Sequence, residues 1–198
     1  MTDDQRTFLG YVQAASERLC RDFDDYRDAL RMQLGALKFE AGCVPLVDVM
    51  GAVAGTADES IDMACEVPNH VLLDELDAGR LGASIHRVTL AAQKLHRSGH
   101  PVTVRVSPRG SHHEVTVSFS GITPAAADMR VLEGSAVEGP GSARRSVARA
   151  FGLGVAMSHQ FLRSCGSNIR LECSAGSEGA FVISIPTTQV DSPSVQAA

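Results

Sequence analysis

A chain of 198 residues with 44% hydrophobic residues can bury an ordinary globular core, and this composition excludes an intrinsically disordered protein. The formal net charge of −5 and the absence of tryptophan argue against a nucleic-acid binder, which needs a basic surface or aromatic stacking platforms. No apolar run is long enough to span a bilayer, and the amino terminus lacks the basic-then-apolar order of a signal peptide. We therefore expect a cytoplasmic protein that touches neither membrane nor nucleic acid.

The first segment of the chain carries an apolar residue at every third or fourth position. The spacing, 4, 3, 4, 4, 3, 4, 4 and 3 residues from Phe8 to Leu37, is an eleven-residue rhythm typical of a straight amphipathic helix. We predict one long helix within residues 4–40, and we assign residues 1–43 to dimerisation or docking; a helix folded back on its own domain is the alternative. The residues expected to bind the partner are Phe8, Val12, Leu19, Phe23, Tyr26 and Leu30.

The middle of the chain alternates helical and strand patterns. After the Gly and Pro of residues 42–45, residues 46–59 have helical spacing, and residues 61–67 alternate like a strand before a turn at Pro68-Asn69. Residues 81–97 are again helical. Two alternating segments, 102–106 and 114–119, flank a turn at 108–111 and predict a β-hairpin.

The last third begins with a weakly periodic connection rich in Gly, Ala and Pro, residues 121–142. A helix is predicted over residues 143–164, followed by a second hairpin with strands at 169–173 and 180–185. Residues 187–198 form a polar tail that we expect to be disordered.

This order of elements predicts the fold class. Locally paired strands covered by helices on one face give an α/β fold, a two-layer α/β sandwich with a mixed, mostly antiparallel sheet. We place this domain at residues 44–186, behind the long N-terminal helix.

The segment from Gly152 to Pro186 resembles a known family. It contains GLGVAM, then LRSCGSNIRLECS, then GSEGAFVISIP, in the order of the second glycine box, helix, strand, turn and closing strand of the GHKL-type catalytic domain of histidine kinases. Residues 37–42 are similar to the end of the second helix of the kinase dimerisation hairpin. The resemblance implies an ATPase-like fold and a place in two-component signalling.

The resemblance fails where the family holds ATP. Ala91 stands where the family has its magnesium-ligating Asn, and Arg87 stands at the other usual polar position. Magnesium prefers hard oxygen ligands, which neither side chain offers. Phe119 stands where an Asp normally reads the adenine amino group, so Gly121, Gly152 and Gly154 would be vestiges of the nucleotide site. We therefore expect no cofactor.

The histidines do not supply the missing chemistry. The kinases carry a phosphoacceptor His on their first dimerisation helix, yet no His precedes His70 here. We interpret the histidines of the predicted helices and of the first hairpin as non-catalytic; they are His86, His96, His159, His112 and His113.

The sequence thus favours a non-catalytic histidine-kinase-like regulator or adaptor that binds a response regulator or a histidine kinase and forms a homodimer through its N-terminal helix. One alternative is a divergent sensor histidine kinase or anti-sigma-type protein kinase that still binds ATP and magnesium. A second alternative is a kinase-derived histidine phosphotransferase.

Overall fold

The computed structural model describes residues 1–36, 38–56, 60–64, 67, 71–97, 99–125, 129–130, 132, 140–174 and 178–189. The chain divides into two compact units, Met1–Lys38 and Phe39–Ala198. The second unit begins earlier than the boundary after residue 43 that the sequence suggested.

The first unit is a single helix, α1, which spans Asp3–Gln33 and has 31 residues. It opens with a capping box, in which the hydroxyl of Thr2 accepts the Gln5 N–H and the Gln5 side chain accepts the Thr2 N–H. It ends because Gly35 has φ +63°, and the Ala36 N–H then closes back on the Arg31 carbonyl at 2.8 Å. The prediction that the helix continues toward residue 40 was wrong, since a left-handed glycine terminates it first.

The second unit contains eight strands and four further helices among its described residues. They are, in chain order, β1 Gly42–Pro45, α2 Leu46–Ala54, β2 Ile61–Ala64, β3 Val71–Leu76, α3 Ala78–Leu95, β4 Val102–Arg109, β5 His112–Ser120, α4 Pro140–Phe151, α5 Leu153–Ser164, β6 Asn168–Cys173, β7 Glu178–Pro186 and β8 Thr188–Gln189.

The main sheet has five strands in the order β2-β4-β5-β7-β6. β2 pairs with β4 in parallel, and the other three pairings are antiparallel. Alternate residues of β5 and β7 are buried, as expected when one face of a sheet is covered by helices. This confirms the predicted two-layer α/β sandwich with a mixed, mostly antiparallel sheet.

Helix α3 is positioned by a carboxylate at its amino end. Asp77 accepts the Arg80 N–H at 2.9 Å as the N-cap, and its second oxygen accepts the Glu40 N–H at 3.0 Å. The ring of Phe39 lies 5.7 Å from the ring of Phe161 on α5. The beginning of the unit is therefore fixed to both α3 and α5.

Three strands were not predicted from the sequence. β1 and β3 pair with each other, and β8 adds to β3 through Val71 and Leu72, which gives a second antiparallel sheet in the order β1-β3-β8. The expected disordered tail was wrong at Thr188–Gln189, because these residues pair with β3. Residues 190–198 and the turn predicted at residues 68–69 lie outside the described residues.

The helix predicted over residues 143–164 is two helices. Gly152 has φ +93° and ψ 164°, which no helical residue adopts, so α4 ends at Phe151 and α5 begins at Leu153. Across the described part of the chain, no helix is both long and apolar enough to span a membrane.

Candidate functional site

Two of the candidate positions lie on α3. Ala91 is only 6% exposed and belongs to the buried side of the helix with Val88 and Ala92, whereas Arg87 is half-buried. The side chain at position 91 is thus a methyl group in the core. A methyl group has no lone pair with which to ligate magnesium.

The third altered position, Phe119, lies on β5 and is 4% exposed. It pairs in register with Gly179 of β7, and its ring covers that glycine: a Cβ added to Gly179 would meet the Phe119 Cζ at 2.5 Å. The ring centroid of Phe119 also lies 5.7 Å from that of the fully buried Phe181. Position 119 is therefore an anchor of the apolar core.

The aromatic packing continues to the helix break. Phe151, the last residue of α4, contacts Phe181 edge-on, with ring centroids 5.7 Å apart and an interplanar angle of 83°. Such edge-to-face pairs each contribute about 0.5–1.5 kcal/mol beyond their buried area. Phe119, Phe151 and Phe181 form an aromatic cluster that joins β5, β7 and the end of α4.

The glycine pair lies directly after this cluster. Gly152 is the N-cap of α5 and carries the positive φ that separates the two helices, with open space around its Cα. Gly154 lies inside the first turn of α5, and its carbonyl accepts the Ser158 hydroxyl at 2.9 Å. Gly152 has a clear backbone reason to be glycine, whatever else the loop does.

Gly121 also has a backbone reason. The Ile122 N–H donates to the Leu95 carbonyl at 2.8 Å, and the Arg97 N–H donates to the Ser120 carbonyl at 2.8 Å. A Cβ on Gly121 would collide with the Leu95 carbonyl oxygen and come within 2.7 Å of the Arg97 nitrogen. The chain after β5 therefore runs against the end of α3 at a distance that only glycine permits.

His159 on α5 is buried and holds the connection between β5 and α4. Its Nε2 lies 3.0 Å from the carbonyl oxygen of Leu132, a residue that is 1% exposed. Burial lowers the pKa of His159, the nearby charge of Arg163 lowers it further, and the hydrogen bond to Leu132 opposes both. The neutral ring donates Nε2–H to Leu132, which is a structural role.

The other histidines are engaged locally. Both ring nitrogens of His96 contact backbone: Nδ1 accepts the Ser120 N–H at 3.1 Å, and Nε2 hydrogen-bonds to the His100 carbonyl. His113 is buried, and its Nδ1 lies 2.8 Å from the Thr187 hydroxyl. His112 is its neighbour along β5, so the two rings point to opposite faces of the sheet. Within the described ranges, no three His, Cys, Asp or Glu side chains converge as metal ligands.

A charged cluster on the open face of the sheet was not anticipated from the sequence. Glu114 is 8% exposed and accepts from Arg170 Nη2 at 2.9 Å and from Arg109 Nε at 3.2 Å. Burial alone would raise the pKa of Glu114, but the hydrogen bonds and charges of Arg170 and Arg109 outweigh it, and the pKa lies below its ordinary value. Arg170 also donates to Glu172 at 2.7 Å and to Ser184 at 3.2 Å, so the cluster ties β5, β6 and β7 together.

An open groove of about 460 Å³ lies beside this cluster on the sheet. Its lining includes His96, Ser118, Phe119, Glu172, Glu178 and Ala180. No sequence motif marked this groove, because its residues come from the four strands β4, β5, β6 and β7, from the end of α3 and from the loop that follows it.

The residues assigned to partner binding all lie on α1. Their exposed fractions range from 44% to 67%, which leaves a continuous apolar face in contact with solvent. They are Phe8, Val12, Leu19, Phe23, Tyr26 and Leu30.

Solved structures provide three close likenesses in fold. Full-length ShkA in complex with AMPPNP matches with a TM-score of 0.68 and 18% identity, over 98% of this chain and 41% of ShkA, so the chain spans well under half the length of that protein. The histidine kinase AdeS of Acinetobacter baumannii matches with a TM-score of 0.60 and 14% identity, over 91% of this chain and 82% of AdeS. The catalytic domain of the histidine kinase ThkA matches with a TM-score of 0.54 and 16% identity, over 75% of this chain and 96% of that domain.

No family model and no curated protein matches the chain by sequence. The likeness is therefore one of architecture. This chain has the fold of the GHKL-type ATPase-like catalytic domain of histidine kinases.

Proposed function

We propose that the protein is a nucleotide-independent, histidine-kinase-like regulator of two-component signalling. It acts by binding a response regulator or a histidine kinase, and it pairs with itself through α1. The observation that carries the proposal is the burial of Phe119 over Gly179 at the position where the family reads adenine.

The side chain at position 119 decides base recognition. A carboxylate there would accept a hydrogen bond from the adenine amino group, and losing such a buried polar contact costs on the order of 1–3 kcal/mol. The Phe119 ring offers no acceptor, and it is held by Gly179 and Phe181. Rotating it out to admit a base would expose an aromatic ring and open a void beside Phe181.

The metal contribution to nucleotide binding is lost in the same way. Magnesium that bridges ATP phosphates needs oxygen ligands from the protein, and Ala91 supplies none. Arg87, at the other usual polar position, carries a positive charge that would repel the cation. Two independent contacts of the nucleotide are therefore replaced, one by a ring and one by a methyl group.

The binding role is supported by what the chain exposes. Eight large apolar side chains along α1 are exposed among the described residues, and large exposed apolar patches are typical of protein interaction sites. Histidine kinases are the structural neighbours, so a two-component partner is proposed by analogy of fold.

The phosphotransferase alternative requires an accessible imidazole. His159 and His113 are buried with ring nitrogens hydrogen-bonded, and His96 uses both nitrogens on backbone. A phosphate on any of these three would require breaking the contacts that hold it. Among the described residues, the exposed His100 and the half-buried His86 and His112 are the histidines that this alternative would use, and the transfer assay tests them.

Phosphate transfer assays separate the three functions. Incubation with γ-labelled ATP and magnesium, and separately with a phosphorylated receiver domain, is expected to leave the protein unlabelled. Label acquired from ATP would identify a kinase, and label acquired only from the receiver would identify a phosphotransferase; either result would overturn the proposal.

A further inference from the structure

One edge of the main sheet is an open strand. β6 lies at the end of the strand order, and in the described part of the chain it pairs only with β7. The register from Asn168–Ser184 to Cys173–Gly179 runs without a bulge, and none of the β6 residues is proline. Bulges, prolines and charges of one sign are the usual means by which proteins keep a further strand from adding to such an edge.

One hydrogen bond shows which residues of β6 face this edge. The Ser174 N–H donates to the Glu178 carbonyl at 3.0 Å, so these opposite residues are a hydrogen-bonded pair of the β6–β7 ladder. Hydrogen-bonded and non-hydrogen-bonded pairs alternate in an antiparallel ladder. Arg170 and Glu172 therefore direct their backbone N–H and C=O groups towards β7, whereas Ile169, Leu171 and Cys173 direct theirs away from the sheet.

The backbone groups at the open edge lack partners. Among the described residues, the N–H and C=O groups of Ile169, Leu171 and Cys173 make no hydrogen bond. The same alternation, followed across the sheet, accounts for the far side of β4, where the Val102 N–H donates away from β5 to the Ser60 carbonyl at 2.9 Å. The edge of β6 is thus a row of donors and acceptors at two-residue spacing, which is what an added strand pairs with.

Two copies of β6 are complementary to each other in one antiparallel register. With Leu171 opposite Leu171 of the second copy, Ile169 lies opposite Cys173, and all the outward N–H and C=O groups can pair. In the same register Arg170 lies opposite Glu172 of the second copy, twice over. Centring the pair on Arg170 or on Glu172 instead would place like charges directly opposite each other, which destabilises a strand pair.

The two charged side chains have capacity for a second copy. Arg170 donates through Nε, Nη1 and Nη2 to three side chains of its own sheet, which leaves two of the five N–H groups of a guanidinium. The Glu172 side chain is 59% exposed and accepts from Arg170 through Oε1. Its Oε2 atom makes no hydrogen bond or ion pair with any described residue.

We infer that β6 is a self-association edge whose occupant is β6 of a second copy, added antiparallel about Leu171 so that two main sheets become one continuous sheet. This interface lies on the ATPase-like unit, goes beyond the pairing through α1 and does not depend on the loss of nucleotide binding. A single strand pair is a small contact, so we expect a dissociation constant on the order of 100 μM.

Residue-resolved hydrogen exchange of the 198-residue chain tests the pairing. The amides of Ile169, Leu171 and Cys173 are hydrogen-bonded only in the pair. Measured by NMR, their exchange is expected to be about fourfold slower at ~1 mM than at ~20 μM protein, the ratio of the monomer fractions for a dissociation constant of about 100 μM. Equal exchange at both concentrations would overturn the inference even if sedimentation shows a dimer, because a dimer formed elsewhere on the chain leaves these amides open.

Glu172→Arg tests the complementarity. It places arginines opposite each other on both sides of Leu171, so the dissociation constant is expected to rise at least about tenfold and the concentration dependence of exchange to disappear. Glu178→Arg makes the same change of charge at an exposed position of β7 and is the matched control, expected to behave as the wild type. Circular dichroism checks that both variants are folded. Equal behaviour of the two variants would overturn the assigned register.

An isotope-filtered NOE experiment tests direction and register without any substitution. Labelled and unlabelled wild-type chains are mixed at ~1 mM, where most chains are expected to be paired. In the register about Leu171, Arg170 and Glu172 of the two copies form a non-hydrogen-bonded pair, whose Cα atoms lie about 4.5 Å apart. An intermolecular Hα–Hα contact between these two residues is therefore expected. Contacts of Arg170 with Arg170, or of Glu172 with Glu172, would overturn the assignment.

Discussion

Phe119 and Gly179 face each other across β5 and β7, and the ring of the first occupies the space that any side chain at the second would need. The Phe119 Cζ and Cε2 atoms would lie 2.5 and 2.9 Å from a Cβ at position 179. The pair is a packing contact of the core, at the position to which the sequence resemblance assigns base recognition.

This contact makes a direct prediction for Gly179→Ala. The added methyl overlaps the ring, which is held on its other side by Phe181, so we expect the free energy of unfolding to fall by about 1–3 kcal/mol. Urea denaturation measures the change. Phe119→Leu shortens the side chain, so the double variant should lose less than the sum of the two single variants.

Gly51→Ala is the matched control for this substitution. Gly51 lies on α2 with no atom within 4 Å of its added Cβ and no positive φ, so alanine is expected to be neutral or stabilising there. Equal losses at 51 and 179, or simple additivity with Phe119→Leu, would contradict the proposed contact.

Substitutions of Gly121 and Gly152 are predicted to lower the free energy of unfolding by different amounts. Gly121→Ala drives a methyl group into the backbone at the end of α3, so we expect a loss of about 3 kcal/mol or more. Gly152→Ala has free space and only a strained φ of +93°, so we expect a loss of about 1–2 kcal/mol. Denaturation of both variants under one condition ranks them. A larger loss at 152 would mean that the Gly121 approach is not the constraint described.

Much of the main sheet was predictable, because its strands alternate strictly and its hairpins have local turns. The turn of the β4–β5 hairpin lies at residues 110–111, within the predicted turn at 108–111, and Gly110 there has φ +63°. β1 was not predicted because Gly42 and Pro45 are residues that usually interrupt regular secondary structure. Its strand character comes from pairing with β3 far along the chain.

At the candidate positions, the apolar side chains of Phe119 and Ala91 can be read from the sequence, but their packing cannot. Nothing local indicates that Phe119 lies over Gly179. That these are the positions where the family binds nucleotide stays a prediction of the resemblance. The break at Gly152 was also missed, because the apolar spacing continues through it and only the backbone conformation separates α4 from α5. The first feature depends on a contact between residues far apart in the chain, and the second on a single backbone conformation.

Acid stability should depend on Glu114. Its pKa is lower in the folded protein than in the unfolded chain, so its contribution is fully present above the ordinary glutamate pKa and is lost as pH falls through the folded value. Glu114→Gln should flatten the stability profile in that window and also cost stability at neutral pH, since Arg170 loses its buried partner. Glu178→Gln, at an exposed carboxylate outside this cluster, is the control. If the free energy of unfolding fell equally with decreasing pH in the wild type and in Glu114→Gln, Glu114 would not be the source of the acid sensitivity.

The buried imidazole of His159 should make the stability depend on pH in a second, less acidic range. Its pKa is lowered in the folded state, so the unfolded chain binds the proton more readily, and stability falls as pH drops below about 6.5 toward the folded value. His159→Gln keeps a donor for Leu132 and removes the titration. Urea denaturation at pH 7.5 and pH 5.5 should therefore show a smaller difference for this variant than for wild type. His100→Gln, at an exposed ring, should change nothing; an unchanged difference in His159→Gln would exclude the buried imidazole as the cause.

Calorimetric titration of the 198-residue protein with magnesium-ATP, repeated with a non-hydrolysable analogue, tests the central claim most directly. The account predicts no binding heat and no thermal stabilisation at millimolar nucleotide, because Phe119 and Ala91 replace the base-reading and metal-binding groups. Saturable binding at micromolar nucleotide would contradict it and would make a divergent ATP-dependent kinase the better description.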